Sequence, residues 1–217
     1  MRIIELNKSV TESNDRDADA LRAELKEKGV CLINLMSSPG SGKTTLISRL
    51  IRDMNEEIPI AVCEADIDSA VDAERIEALG AVAIQVHTDG MCHMDAGMTR
   101  RGLLGMKLDG IRLAFLENVG NLICPAEYDT GAHINMMILS VPEGDDKPLK
   151  YPLMFEKSDV LVITKTDALP YFTFDTEKCR SRALALNPNL KIFPVSAKTG
   201  DGMDSLEAWL RDQLFIN

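Results

Sequence analysis

The chain contains no apolar run approaching the roughly 20 residues that a membrane span requires, and Met1 to Asn14 carries no apolar block of the signal-peptide kind. A helical membrane span is thereby excluded, and a cytoplasmic location is expected. Clustered Lys and Arg are missing as well. With 24 Lys and Arg against 34 Asp and Glu the net charge is -10, which argues against a general nucleic-acid or anionic-membrane surface. Proteins or small ligands are the expected partners. There is no internal repeat and no low-complexity tract. Cysteines number 5, an odd count in a chain without a secretion signal, which fits reduced thiols rather than a disulfide framework and leaves some able to bind metal. What is present, 45% hydrophobic and 27% charged residues over 217 positions, suits a globular protein long enough to bury a full core. One domain over 1–217 is expected, with 1–29 as a leading helical segment.

Asp15 to Lys28 reads as that leading helix, with Ala18, Leu21 and Leu25 three or four apart and Gly29 as its stop. Short apolar runs follow at Cys31 to Leu35, Ile58 to Cys63, Ala81 to His87, Arg112 to Glu117, Ile134 to Val141, Asp159 to Thr164 and Leu190 to Val195. Runs apolar on nearly every residue and separated by helical stretches indicate a mostly parallel central sheet flanked by helices. The fold class is therefore α/β with three layers, and ligands are expected at the carboxyl ends of the strands. Glu143 to Tyr151, polar and Pro-containing, reads as the longest irregular stretch.

Ser37-Ser38-Pro39-Gly40-Ser41-Gly42-Lys43-Thr44 sits between the first strand and a helical pattern, the setting of a P-loop. Small residues such as Gly40, Ser41 and Gly42 let backbone N–H groups converge on phosphate at a helix N-terminus. Lys43 would reach the β- and γ-phosphates, and Thr44, followed by Thr45, would place its hydroxyl on Mg²⁺. Ser37 stands where the usual pattern begins with Gly. Thr164-Lys165-Thr166-Asp167 and Ser196-Ala197-Lys198 follow later strands. Asp167 could accept both the N1–H and the 2-amino group of guanine, a pair that adenine lacks, while the stem of Lys165 lies along the base. These segments resemble the specificity elements of GTPases, with Thr164 replacing an Asn and so weakening one supporting hydrogen bond. They favour GTP and GDP over adenine nucleotides. Glu117-Asn118-Val119-Gly120 reads as a switch: Glu117 supports Mg²⁺, and the Gly120 N–H senses the γ-phosphate. A second carboxylate is expected from Glu64-Ala65-Asp66-Ile67-Asp68, just beyond the second strand, with Asp66 preferred and Asp72 next. No residue that orients the attacking water is apparent.

Cys92-His93 follows the third strand, and Cys124 follows the switch. Neighbours on a strand point to opposite faces, so Cys92 and His93 can share a metal only from a loop or helix start. Two thiolates and an imidazole suit Zn²⁺ or Ni²⁺. Three ligands leave a tetrahedron open for water, a substrate ligand or a second subunit. Cys31, Cys63 and Cys179 read as core residues, as do Met94, Met98 and Met106 with Met91 on a helix face. His87 and His133 carry no assignment.

Ser38-Pro39-Gly40-Ser41-Gly42-Lys43-Thr44-Thr45, Cys92-His93-Met94-Asp95-Ala96, Glu117-Asn118-Val119-Gly120-Asn121-Leu122-Ile123-Cys124-Pro125 and Lys147-Pro148-Leu149-Lys150-Tyr151-Pro152 together resemble the hydrogenase-maturation nickel GTPases of the HypB family, SIMIBI-class P-loop proteins. Leu169-Pro170-Tyr171 and Phe174-Asp175 also match, so the likeness runs from about Val30 to the C-terminus. It implies GTP hydrolysis, a metal site at a homodimer interface, and nickel delivery to the hydrogenase large subunit with other accessory proteins. By that likeness Lys150 contacts nucleotide held by the neighbouring subunit. The Cys-rich motif and His-rich tract that some members use for extra nickel are not in this sequence, which leaves Cys92, His93 and Cys124. The alternatives are a urease-type nickel accessory GTPase, whose motif is typically Cys-Pro-His, a small-metabolite P-loop kinase, and a metal-binding module with a vestigial P-loop.

Overall fold

A computed structural model of the chain describes residues 6–66, 71–88 and 90–215, with side chains over 12–65, 74–88 and 90–215. Seven strands form one sheet: β1 (Cys31–Ser37), β2 (Ile60–Asp66), β3 (Val82–His87), β4 (Leu113–Glu117), β5 (Ile134–Ser140), β6 (Val160–Thr164) and β7 (Lys191–Pro194). Their order is β3-β2-β4-β1-β5-β6-β7, and every pairing is parallel. All residues of β1, β4 and β6 are buried, whereas the edge strands β3 and β7 are partly exposed. That difference follows from parallel strands covered on both faces and edge strands covered less.

The helices α2 (Lys43–Met54) and α9 (Met203–Asp212) cover one face. There Leu46, Leu50, Leu206 and Leu210 pack on Ile33, Leu35, Phe115 and Ile138. Over the other face lie α1 (Leu6–Glu27) and α4 (Ala96–Leu104), burying Leu21, Leu25 and Leu103 against Leu32, Cys63 and Leu116. Beyond them, α7 (Pro152–Glu156) and α8 (Thr176–Leu186) cover Met36, Met137, Leu161 and Ile163. Cys31, Cys63 and Cys179 are all buried, and burial pushes each thiol up to about 12, as core cysteines require. Phe115 is wholly buried on central β4. Phe115→Ala should cost about 3–5 kcal/mol, read as a lower urea midpoint with an unchanged slope; a loss under about 1 kcal/mol would show that this layer repacks freely.

Three expectations need correction. The leading helix starts at Leu6 rather than Asp15. β2 runs to Asp66 rather than ending at Cys63, so Glu64 and Ala65 are strand residues. Glu143 to Tyr151 is not irregular. Its first residue closes the turn Val141–Glu143, where Glu143 Oε2 accepts from Ser140 N and Oγ at 2.8 and 2.7 Å, and Lys147–Lys150 forms α6. Asp145 pins the middle of the segment, accepting from Arg182 and from the Asp175 N–H.

Candidate functional site

The loop between β1 and α2 turns sharply at Gly42, whose φ of 101° is left-handed and suits glycine. No side chain caps α2, so its first-turn N–H groups point into a cleft of about 610 Å³. Gly40, Gly42, Lys43, Thr44 and Thr45 line that cleft, together with Glu117, Gly120 and Lys165, which arrive from other strand ends. Ser41 is buried beneath the loop. Ser37, the departure from the usual glycine, has a defined role here. Its hydroxyl donates to Ser38 O at 2.8 Å and accepts from Lys43 Nζ at 2.9 Å, so it steadies the loop lysine.

Thr44 Oγ1 donates to Glu117 Oε1 at 2.9 Å, forming a hydroxyl-carboxylate corner of the kind Mg²⁺ takes. Glu64 stands directly beside Glu117 in the β2–β4 register, and both are buried on the cleft. Glu64 is the first residue of the segment Glu64-Ala65-Asp66-Ile67-Asp68 expected to supply the second carboxylate. The side chains of Asp66 and Asp72 lie outside the described residues. Arg75 of α3 (Val71–Glu77) also borders the cleft and was not anticipated. Gly120 lies so close to the P-loop that a Cβ there would sit 3.0 Å from Pro39 N and 3.0 Å from Pro39 Cγ. Any side chain there would push the switch segment and the phosphate loop apart by a few tenths of an ångström.

The segments Thr164–Asp167 and Ser196–Lys198 meet beside the P-loop. Thr164 Oγ1 donates to Ser41 O at 2.7 Å, so the threonine supports the P-loop directly. Lys165 adopts a left-handed φ of 59°, and its Nζ donates to Gly40 O at 2.7 Å. Asp167 Oδ1 accepts from Ser196 Oγ at 2.8 Å, while the exposed Lys198 Nζ lies 4.0 Å from Asp167 Oδ2. Ala197 O accepts from Arg49 of α2 at 3.4 Å, which links this loop to the P-loop helix. Lys150 is exposed, pairs with Asp146 at 2.5 Å, and does not line the cleft.

On the same sheet edge, Asp95 caps α4 by accepting from Met98 N at 2.7 Å, which leaves Cys92-His93 in the bend just before the helix. Cys124 opens the short helix α5 (Cys124–Glu127). The two sulfurs are 2.7 Å apart, Cys92 Sγ is 3.8 Å from His93 Nδ1, and all three donors lie within 4.8 Å of one another. Residues 32 positions apart are thus brought together, and the two sulfurs need only spread to about 3.8 Å for a single tetrahedral soft cation to bind between them. The His93 ring stacks on Tyr128 with centroids 3.9 Å apart and planes 13° off parallel, a support that sequence reading missed. Burial pulls the His93 imidazole below its ordinary range, outweighing Asp95 and Glu127, and favours the neutral, ligating form. The Cys92 hydrogen bond, reinforced by burial, raises the Cys124 thiol. Met94, Met98 and Met106 are core residues as expected, but Met91 is exposed. His133 Nδ1 accepts from Leu32 N at 3.1 Å, a structural contact between loop and sheet.

A phosphate loop on the first strand of an all-parallel sheet, with a carboxylate-bearing switch beside it, defines the P-loop nucleotide-binding class. The nucleotide-binding domain model of CobW/HypB/UreG matches residues 31–194. The chain belongs to the HypB family: it is 44% identical to the hydrogenase maturation factor HypB of Rhizobium leguminosarum bv. viciae, across 96% of this chain and 70% of that one. The hydrogenase/urease maturation factor HypB of Helicobacter hepaticus is 38% identical across 97% and 88%. The crystal structure of HypB from Helicobacter pylori in complex with nickel superposes with a TM-score of 0.88 at 36% identity, covering 93% of this chain and 94% of that one. No helix among the described residues is long and apolar enough to cross a membrane.

Proposed function

We propose that the chain is a Mg²⁺-dependent GTPase whose nucleotide cycle controls homodimer formation and the transfer of nickel to the large subunit of [NiFe]-hydrogenase, acting with other accessory proteins. The single observation that carries this reading is the segment 117–124. At one end Glu117 meets the Thr44 hydroxyl, and at the other Cys124 Sγ meets Cys92 Sγ. The names of the HypB relatives and the nickel-bound Helicobacter pylori structure support nickel as the cargo.

In this reading Lys43 and the α2 N-terminus hold the β- and γ-phosphates, and Asp167 reads guanine with Lys165, Ser196, Ala197 and Lys198 around the base. Thr44 and Glu117 would hold Mg²⁺, with Glu64 beside them and Asp66 or Asp72 as further carboxylates. When bound, Mg²⁺ neutralises phosphate charge and aligns the γ-phosphate for in-line attack by water. Gly120, resting on Pro39, offers its N–H to the γ-phosphate and releases it after hydrolysis. Cys124 moves with it. Cys92, His93 and Cys124 would then grip the cargo, nickel or zinc, differently in the GTP and GDP states, with a second subunit completing the site and Lys150 reaching its nucleotide. Only differential affinity between the states can do this, and the coupling is reciprocal. The Helicobacter hepaticus relative is named for both hydrogenase and urease maturation, which keeps urease as the alternative recipient.

Cys124→Ala tests the metal arm. Nickel or zinc affinity should fall at least as far as the roughly 10- to 100-fold that loss of a supporting group costs, and its dependence on nucleotide should disappear. Unaltered titrations would remove Cys124 from the site.

A further inference from the structure

The 117–124 segment explains how Cys124 follows the nucleotide, but Cys92 and His93 belong to a different loop. We infer that Asn118 is the positioning residue that ties this second arm of the thiol-imidazole cluster to the nucleotide end of β4. The inference rests on the metal-coupled reading above and extends it to residues the chain does not connect directly.

Asn118 is fully buried, next to Glu117. Its N–H donates to Leu35 O on β1 at 3.1 Å. Its side-chain Oδ1 accepts from the Met94 N–H at 3.1 Å and from the Val119 N–H at 2.9 Å. Its Nδ2 donates to Asn34 Oδ1 at 3.0 Å, and Asn34 Nδ2 in turn donates to Asn135 Oδ1 at 3.0 Å. Asn118 just past the end of β4, Asn34 in the middle of β1 and Asn135 near the start of β5 thus form one directed row of amides across the sheet.

The row terminates on the residue that follows His93. Met94 is itself wholly buried, so no water stands ready to replace the bond from its N–H if Asn118 turns. The 117–120 backbone has the Thr44–Glu117 contact on one side of Asn118 and Gly120 against Pro39 on the other. A rearrangement of that backbone must therefore either carry Met94, and with it Cys92 and His93, or break the bond from Met94 N. A buried, satisfied polar row in a low-dielectric interior favours discrete arrangements over gradual drift. Both arms of the cluster thus hang from β4: Cys124 through the chain, and Cys92-His93 through a single hydrogen bond.

The test is nickel titration of the full chain in the nucleotide-free, GDP and non-hydrolysable GTP-analogue states. In the unmodified protein the affinities should differ between states by about 5-fold or more, the lower end of ordinary allosteric coupling. Asn118→Ala should lower that ratio at least about 2-fold, to the part that the Cys124 arm carries alone, while nickel still binds. A ratio unchanged in Asn118→Ala would overturn the inference and leave the coupled reading intact, whereas an unmodified protein with equal affinities would sink the coupled reading itself. If Asn118→Ala does not fold, hydrogen exchange in the unmodified protein decides: altered protection of the Met94 amide between nucleotide states supports the inference, and identical protection refutes it.

Discussion

Lys43→Ala is expected to lower kcat for GTP hydrolysis by about 100- to 1000-fold, the effect of removing one preorganised charge from a site of developing charge. The transferred phosphoryl group gains little from covalent chemistry, so positioning and charge neutralisation carry the rate. Lys43 is half-buried at the cleft, at the end of the loop and outside the hydrophobic core, and its Nζ donates to the Ser37 hydroxyl. Its loss should therefore leave the seven-stranded sheet and its melting behaviour nearly unchanged. Phosphate release measured under single-turnover conditions, beside circular dichroism of the same sample, separates chemistry from unfolding. Hydrolysis at the unmodified rate would remove Lys43 from the phosphate site.

Asp167→Asn is expected to weaken GTP binding by about 100- to 10,000-fold. That range corresponds to roughly 2.7–5.5 kcal/mol: one hydrogen bond to a charged acceptor is replaced by two amino groups facing each other, and the other becomes a bond to a neutral oxygen. The same substitution should raise affinity for xanthosine triphosphate, whose 2-oxo group needs a donor that an amide supplies. The scaffold around position 167 survives the change, because the Ser196 hydroxyl can still donate to an asparagine oxygen at Oδ1. Competition between GTP and xanthosine triphosphate, with fluorescent nucleotide displacement as the readout, reports the switch. Continued preference for GTP would show that guanine is read elsewhere.

Most of the architecture was legible in the sequence because parallel strands covered on both faces must be apolar at nearly every position, as at Leu32, Ile33 and Leu35. The P-loop was legible for a related reason: its backbone geometry demands particular small residues in fixed order. Glu64 was not, since a charged residue ends an apolar pattern even where a polar cleft allows it to stay on the strand. Asn34 looks like a flaw in an apolar run until Asn118 and Asn135, 84 and 101 positions away, supply its partners. Tyr128 under His93 was hidden in the same way. Such pairings depend on sheet order, with β1 lying between β4 and β5, and no local spacing encodes that. The bond from the Thr164 hydroxyl to the P-loop carbonyl of Ser41 spans 123 positions and was hidden likewise.

The coupling between nucleotide and metal is tested most directly by equilibrium titration of the pure protein with nickel in the nucleotide-free, GDP and GTP-analogue states, with molecular mass followed alongside. The expected result is a metal affinity that changes with nucleotide, accompanied by a doubling of mass in the GTP-analogue state. Identical affinities in all three states would contradict it and leave a nucleotide hydrolase with an independent thiol-imidazole site.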